Sequence, residues 1–387
     1  MSDEDAQAAG SSALSWLLGG TGLVALAVAV ALHPDGARAA AGQDWPPFVL
    51  VAGLLLIGLV SQEDGLFAAG GQLLARRAGG GLALYAGAVV MIAVVTALLN
   101  LDTSVAFLTP VLVYAARSRG EGEAPLLYAS ILLANAGSLV LPGSNLTNLI
   151  VLGHVHMSGG AFFRRMAPAD VVAVVVTALV IAARHHAQLR ARAAAPSSPG
   201  MQARWGVGLV AVLAATVLVV ALRNAALPVA AVGVLAVAAR LGASRAARAR
   251  ALEVLGAPVL VGLFGIAVAL GTLGRAWAGP ALLLSHLGTW ATAALAAGAT
   301  VLVNNLPAAS LLSARALPHP FALLVGLNIG PNLFVSGSLA WVLWWRSART
   351  AQARPSLRAG AGLGLLSAPL ALAAAMAVLT LSGGAGH

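Results

Sequence analysis

Twice in this chain a long apolar run breaks at an asparagine turn, and each time a second glycine-asparagine turn follows. The first copy reads Asn100-Leu101-Asp102-Thr103-Ser104, then Pro142-Gly143-Ser144-Asn145-Leu146-Thr147-Asn148. The second reads Asn304-Asn305-Leu306-Pro307, then Gly330-Pro331-Asn332-Leu333. Backbone groups left unpaired in hydrocarbon cost several kcal/mol each, so polar turns at membrane depth survive only where protein or a wet cavity surrounds them. Paired breaks of this kind point to a solute site at the centre of a transporter.

The surroundings of the breaks are those of a membrane protein. Of 387 residues 60% are hydrophobic and 9% charged, and several uncharged runs approach the roughly 20 residues that span a bilayer. With no cysteine, disulfides, thiolate metal sites and a nucleophilic thiol are excluded. The net charge of +10 comes from arginines in short loops between apolar runs, which reads as span orientation and not as a nucleic-acid surface. Met1 to Ser12 is acidic, lacks the basic region of a signal peptide, and is expected to be a short tail.

Apolar segments fall at about Trp16–Leu32, Pro47–Val60, Leu82–Asn100, Val105–Ala116, Leu126–Leu141, Leu149–Phe163 and Val171–Ala183. Further segments are Val207–Leu222, Leu227–Ala239, Pro258–Leu273, Ala281–Val303, Ala308–Leu317, Phe321–Trp345 with a break, and Leu363–Leu381. Leu66–Leu74, interrupted by Gly70 and Gly71 and closed by Arg76 and Arg77, is expected to lie at the interface. Arg76 and Arg77 before the Leu82 segment and Arg117 and Arg119 after the Val105 segment place both ends of that unit on the cytoplasmic side. Val105–Ala116, about 18 Å long at 1.5 Å per residue, cannot cross a core of roughly 30 Å alone. The unit is therefore expected to be a re-entrant hairpin with its tip at Asn100–Ser104. The remaining arginine-rich loops also count as cytoplasmic, with only Arg38, Arg164, Arg165, Arg223, Arg275 and Arg315 elsewhere. Alternating the spans then opens the second hairpin, tip Asn304–Pro307, to the opposite side, with the N-terminus inside and the C-terminus outside the cell (inner or plasma) membrane.

The fold class expected is an all-α polytopic membrane protein, an inverted-repeat transporter with two re-entrant hairpins and broken helices. Thr96-Ala-Leu-Leu-Asn100 matches Thr300-Val-Leu-Val-Asn304, and Gly143-Ser-Asn-Leu146 is aligned with Gly330-Pro-Asn-Leu333. The organisation read from this is a tail and first span over 1–45, a first repeat over 46–183, a cytoplasmic linker over 184–204, a second repeat over 205–358, and a last span and tail over 359–387.

Of the acids, Asp102 alone is placed at a hairpin tip within the membrane, the others at tails, loops or segment ends. An intramembrane carboxyl is expensive and is by default a proton or cation site, so Asp102 is the expected proton-coupling residue; capping of a helix starting at Ser104 is the structural alternative. The expected solute-binding residues are Asn100, Thr103, Ser104, Ser144, Asn145, Thr147, Asn148, Asn304, Asn305, Asn332, Ser336 and Ser338. Amides supply both donors and acceptors, and helix N-termini after each break add N–H groups and a positive dipole end. Each asparagine also has a plainer reading as a group that merely satisfies the broken backbone. His154 and His156 form a His-x-His pair with no carboxylate or third histidine nearby, so no metal site is assigned. No phosphate-binding glycine loop, nucleophile elbow or zinc-protease motif occurs, and neither enzymatic activity nor a cofactor is expected.

These turns resemble the arsenite permease family of the ion transporter superfamily, the membrane subunit of arsenical-resistance efflux. The resemblance runs from about Trp45 to Leu381. Its most specific pieces are Asn100-Leu-Asp-Thr-Ser-Val-Ala-Phe-Leu-Thr-Pro110, Ala136-Gly-Ser to Ser144-Asn-Leu-Thr-Asn148, Asn304-Asn-Leu-Pro307, and Asn328-Ile-Gly-Pro-Asn332 through Gly337-Ser-Leu-Ala340. More distantly the chain is similar to sodium-coupled dicarboxylate symporters and sodium/proton antiporters. The resemblance implies a scaffold, a mobile transport unit carrying both hairpins, often a homodimer, and a small inorganic solute moved against protons or sodium, with a soluble ATPase as a further partner of some arsenical pumps. Two departures stand out. Leu101-Asp102-Thr103 occupies the place of Asn-Asp-Gly in familiar arsenite permeases, and neither tip carries the Ser-Asn-Thr of the dicarboxylate symporters. The leading expectation is efflux of arsenite or antimonite coupled to protons. A sodium/proton antiporter and an inorganic anion or dicarboxylate symporter are the alternatives.

Overall fold

The computed structural model describes residues 3–153 (side chains from residue 16), 155, 157–190, 206–222, 224–242 and 244–383. The His154/His156 pair, most of the expected linker and Arg223 lie outside the described residues. Within them the chain is helical. It runs α1 (Asp3–Leu32), α2 (Pro34–Glu63), α3 (Leu66–Arg77), α4 (Gly81–Leu99), α5 (Leu101–Ser118), α6 (Ala124–Ala136), α7 (Leu146–Leu152), α8 (Gly159–Arg184) and α9 (His186–Arg190). It continues through α10 (Val207–Ala221), α11 (Ala226–Leu241), α12 (Arg245–Leu255), α13 (Ala257–Ala276), α14 (Gly279–His286) and α15 (Thr289–Val303). The last four are α16 (Asn305–Leu312), α17 (Pro320–Ile329), α18 (Ala340–Thr350) and α19 (Leu357–Leu381). Five stretches, α2, α4, α8, α12–α13 and α19, are long and apolar enough to cross a bilayer.

Several boundaries differ from those read off the apolar runs. The first helix begins at Asp3 and not at Trp16, so most of the acidic tail is helical. Asp102, Thr103 and Ser104 form the first turn of α5, which makes this arm 18 residues, about 27 Å, and not 12. Leu149–Phe163 is not one segment: α7 stops at Leu152, and α8 starts at Gly159 and runs through Arg164, Arg165 and Pro168.

A pseudo-twofold relation organises the elements. Helices α2, α3 and the hairpin α4–α5 correspond to α13, α14 and the hairpin α15–α16, while the broken helix α6–α7 and helix α8 correspond to α17–α18 and α19. The packing follows the symmetry. Helix α5 lies on α18 and α16 on α7, α8 and α19 pack on each other, and α1 packs on α13 as α11 does on α2. The last two crossings bring backbones together through glycine, as small residues do between membrane helices. A Cβ on Gly22 of α1 would lie 2.0 Å from the Gly262 carbonyl oxygen, and one on Gly233 of α11 would lie 2.6 Å from that of Gly53. Helices α1, α2 and α10–α13 thus form a scaffold beside the hairpins and broken helices.

The arginine-rich loops gather on one face. Arg117 donates to the Ala351 and Gln352 carbonyls at 2.7 and 2.9 Å, tying the α5–α6 loop to the α18–α19 loop. Asp64 at the end of α2 accepts from Arg240 Nε at 2.5 Å and from the Gly208 amide at 2.7 Å. At the other end of the bundle Gln43 accepts from Arg275 and donates to the Ile150 carbonyl, and Arg315 reaches the Gly274 and Arg275 carbonyls.

Candidate functional site: two hairpin tips and two helix breaks

Both hairpin tips turn on an asparagine with a backbone that side chains rarely adopt. Asn100 has φ 120° and ψ 171°, and Asn304 has φ 74° and ψ 153°. Such a conformation costs of order 1–3 kcal/mol and persists only where the surroundings enforce it. Part of that cost is offset locally, because each side chain caps the helix it precedes. Asn100 Oδ1 accepts from the Thr103 amide at 2.8 Å, and Asn304 Oδ1 accepts from Leu306 at 3.5 Å. The cap of α5 is therefore Asn100. Asp102 is the second residue of the helix, in its first turn, and is not its cap.

The two breaks follow the same plan. Leu141, the turn Pro142–Ser144 and Asn145 correspond in backbone conformation to Phe334, the turn Val335–Gly337 and Ser338. Asn145 (φ −150°, ψ 142°) and Ser338 (φ −151°, ψ 145°) superpose in conformation and in role. Asn145 Oδ1 caps α7 at the Thr147 amide, 3.2 Å away, and Ser338 Oγ caps α18 at the Ala340 amide, 3.1 Å away. The alignment of Gly143-Ser-Asn-Leu146 with Gly330-Pro-Asn-Leu333 is thus displaced by six residues. The partner of Asn145 is Ser338, and that of Leu139 is Asn332.

These four capped helix starts converge on one small cavity. It is lined by Leu101 and Asp102 of α5, Asn145 and Leu146 of α7, Asn304, Asn305 and Leu306 at the start of α16, Ser338 and Leu339 before α18, and Leu263 of α13. Its free volume is about 30 Å³, enough for a water or two. Four N-termini facing one point favour electronegative atoms there. The pseudo-symmetry of the lining is broken by side-chain chemistry: Asp102 stands opposite Leu306, and Asn305 opposite Leu101. No arginine or histidine lines the cavity, and Asp102 has no basic partner among the described residues.

The other expected site residues surround this cavity without facing it. Asn332 donates to the Leu132 carbonyl at 2.8 Å and accepts from Asn135 Nδ2 at 2.9 Å. Asn148 donates to the Ser138 and Leu141 carbonyls at 2.7 and 3.1 Å, satisfying acceptors freed by the break. Ser144 and Ser336 donate to the Ala97 and Val301 carbonyls, equivalent places on the two first hairpin arms. Thr103, Ser104 and Thr147 are buried, and their hydroxyls find no protein partner. Asn145 lines the cavity, yet its amide is committed to Asn328 Oδ1 at 2.8 Å and Ser138 Oγ at 3.3 Å. That leaves Asp102 and Asn305 as the cavity side chains with no hydrogen bond to protein among the described residues, while Ser338 keeps a free hydroxyl proton and Asn304 a second N–H.

Asn328, absent from the expected set, is the hub of the polar network. Its Oδ1 accepts from Asn145 and from Ser138 Oγ at 2.7 Å, and its Nδ2 donates to Asn148 Oδ1 at 2.9 Å and to the Leu324 carbonyl at 2.8 Å. One side chain of the second repeat thereby holds the first repeat's break. A sequence signal for it exists: Asn135-Ala-Gly137 and Asn328-Ile-Gly330 are the same pattern at the ends of α6 and α17.

Against known proteins, the family model described as citrate transporter (CitMHS) matches residues 13–345. Among solved structures the chain is similar to the YdaH transporter of Alcanivorax borkumensis, whose crystal structure is described as revealing an unusual topology. The identity is 16% and the TM-score 0.56, over 96% of this chain and 98% of that one, a likeness of fold alone. No curated protein matches the chain.

Proposed function

We propose that this chain, which belongs to the citrate transporter family and is a membrane transporter and not an enzyme, is a secondary active transporter that exports a small hydroxylated oxyacid, arsenite or antimonite, in exchange for protons. The observation that carries the reading is the chemistry of the central cavity: one carboxyl, one uncommitted amide and four helix N-termini, with no cationic side chain. A neutral trihydroxide fits that set. Its hydroxyls donate to the Asp102 carboxylate, and its oxygens accept from the Asn305 amide and the N–H groups at the starts of α5 and α16. With no cysteine in the chain, recognition rests on these hydrogen bonds and not on thiolates.

Exchange follows from competition for one group. A proton on Asp102 weakens it as an acceptor for the solute's hydroxyls and puts a donor in their place, so proton and solute compete for the site. Loading the proton on one face and the solute on the other converts a pH gradient into export.

A second reading, symport of a carboxylate, is favoured by the description of the family and by the four positive helix ends, which suit an anionic substrate. Its difficulty is Asp102, since like charges a few Å apart in a low-dielectric site cost several kcal/mol. Everted vesicles given arsenite, citrate and sodium in parallel test both readings. Arsenite accumulation that requires an imposed pH gradient is the expected result. Accumulation of citrate and not arsenite would overturn the oxyacid reading in favour of the carboxylate one, and sodium/proton exchange without either solute would overturn both.

A further inference from the structure

Among the described residues four aspartates, Asp44, Asp64, Asp102 and Asp170, are buried or half-buried, and two of them have basic partners. Asp64 is paired with Arg240, and Asp44 lies beside Arg275 and Ser310. Asp102 faces the cavity. The fourth, Asp170, is buried (4% exposed) in the middle of α8 and is ion-paired to none of the described residues. Its Oδ1 accepts from the Leu139 amide at 2.9 Å, and the Val140 amide is a second donor to it. These are amides freed by the first helix break.

The second repeat shows what a purely structural solution looks like at this place. Leu139 corresponds to Asn332, and the helix equivalent to α8 meets Asn332 with a glycine: a Cβ on Gly364 of α19 would lie 1.7 Å from the Asn332 carbonyl oxygen. One break is closed by close backbone packing, the other by a carboxyl in the membrane. An acid is therefore not required to make such a break, and both unpaired acids of the core, Asp102 and Asp170, belong to the first repeat. They are connected. The segment 138–145 carries the Asp170-bound amides at one end and the cavity residue Asn145 at the other, with the Leu141 amide bonded to Ser144 Oγ between them.

We propose that Asp170 is a second proton-exchanging group of the transport cycle, a positioning residue that acts on the cavity through the 138–145 segment. Ionised, it accepts both freed amides and holds the segment. Protonated, it is a weaker acceptor and carries a hydroxyl that needs an acceptor of its own, so the segment, and with it Asn145, is released from that position. The titratable groups on the helices packed against α8 are Tyr85 on α4, Tyr128 on α6, His186 and Arg190 on α9 and Arg358 on α19, with Arg164, Arg165 and Arg184 on α8 itself. None of them is ion-paired to Asp170, so its own proton is the charge that changes. The inference rests on the Asp102 cavity being the solute site.

The test uses the full chain in proteoliposomes, with arsenite counterflow in the absence of a pH gradient measured across pH. D170N keeps one amide acceptor and removes the titration. The expected result is counterflow within a few-fold of wild type whose pH profile has lost one limb and, in a separate net-transport measurement under an imposed pH gradient, less proton influx per arsenite moved. A D170N profile and coupling ratio equal to wild type, at whatever rate, would leave Asp170 a structural anchor and overturn the proposal. Should D170N fail to fold, D170E decides: a shifted pH midpoint supports proton exchange and an unchanged one refutes it. If the wild type moves neither arsenite nor citrate, it is the site reading that fails. Unfolding midpoints of detergent-solubilised wild type and D170N, followed from about pH 5 to about pH 8, then judge Asp170 separately, because a group that exchanges protons makes the two curves diverge and parallel curves refute it.

Discussion

At the scale of single residues, Asp102 and Asn328 illustrate two opposite uses of a buried polar group. Asp102 has no protein partner that explains it, and its counterpart in the second repeat is Leu306, so the fold does not need the acid. Asp102→Asn preserves size and hydrogen bonding. It is expected to leave folding intact and counterflow measurable while abolishing uptake driven by a pH gradient, and full retention of gradient-driven uptake would sink the coupling role. Asn328, by contrast, is saturated with protein partners. Asn328→Leu strands Ser138, Asn145 and Asn148 groups, each orphan costing about 1–3 kcal/mol. The variant is expected to unfold at markedly lower temperature in detergent and to lose transport. Asn328→Asp, which keeps the acceptor for Ser138 and Asn145, should fall between it and wild type, and equal stability of all three would contradict the hub. The sequence made Asp102 legible because a lone acid in an apolar run is costly. Asn328 stayed outside the expected set because its importance lies in contacts between chain segments about 180 residues apart, which the repeated Asn-x-Gly pattern marks as a place but does not reveal as contacts.

At the scale of elements, the hairpins and broken helices were readable from apolar runs interrupted by Asn, Gly and Pro, since those interruptions are what a membrane tolerates only around a cavity. What sequence misjudged were the places where tertiary contacts override local polarity. Asp102-Thr103-Ser104 enters α5 because Asn100 caps that turn. Arg164, Arg165 and Asp170 stay within α8, where Arg165 stacks on the Phe321 ring at 4.2 Å and Asp170 takes the Leu139 amide. The register of the repeat was also missed at the second turn, where Gly-x-Asn-Leu recurs by sequence but the backbone pairs Asn145 with Ser338. The tips give the sharpest element-level prediction. At Asn100 and Asn304, alanine keeps the strained positive φ and loses the cap, whereas glycine loses the cap but relieves the strain. Asn304→Gly should therefore be more stable than Asn304→Ala by about 1 kcal/mol, the reverse of the order in an ordinary helix, and thermal unfolding of the purified variants reads it directly. An alanine variant as stable as the glycine one would mean that the tip backbone is not strained.

At the scale of the whole molecule, corresponding residues of the two repeats, Leu101 with Asn305, Asp102 with Leu306 and Asn145 with Ser338, line one cavity, and this makes the arrangement suited to alternate exposure. With the repeats inverted, equivalent elements approach the cavity from opposite ends, so opening toward one face has a twofold-related opening toward the other. Inversion has a consequence that labelling can read. Gly79, just before the first hairpin, and Gly288, just before the second, both have open space where a side chain would go and neither has a positive φ, so a cysteine at either is tolerated. The chain has no cysteine of its own, so each single variant reports one position. Gly79 follows Arg76 and Arg77 closely, and on the positive-inside rule its side is expected to face the cytoplasm. In intact cells an impermeant maleimide is expected to label Gly288→Cys and spare Gly79→Cys, with both labelled after permeabilisation. The opposite pattern would reverse the orientation and keep the repeat inverted. Labelling of both in intact cells would put the two hairpins on the same side, and a site reached in turn from each face by equivalent halves would no longer be possible.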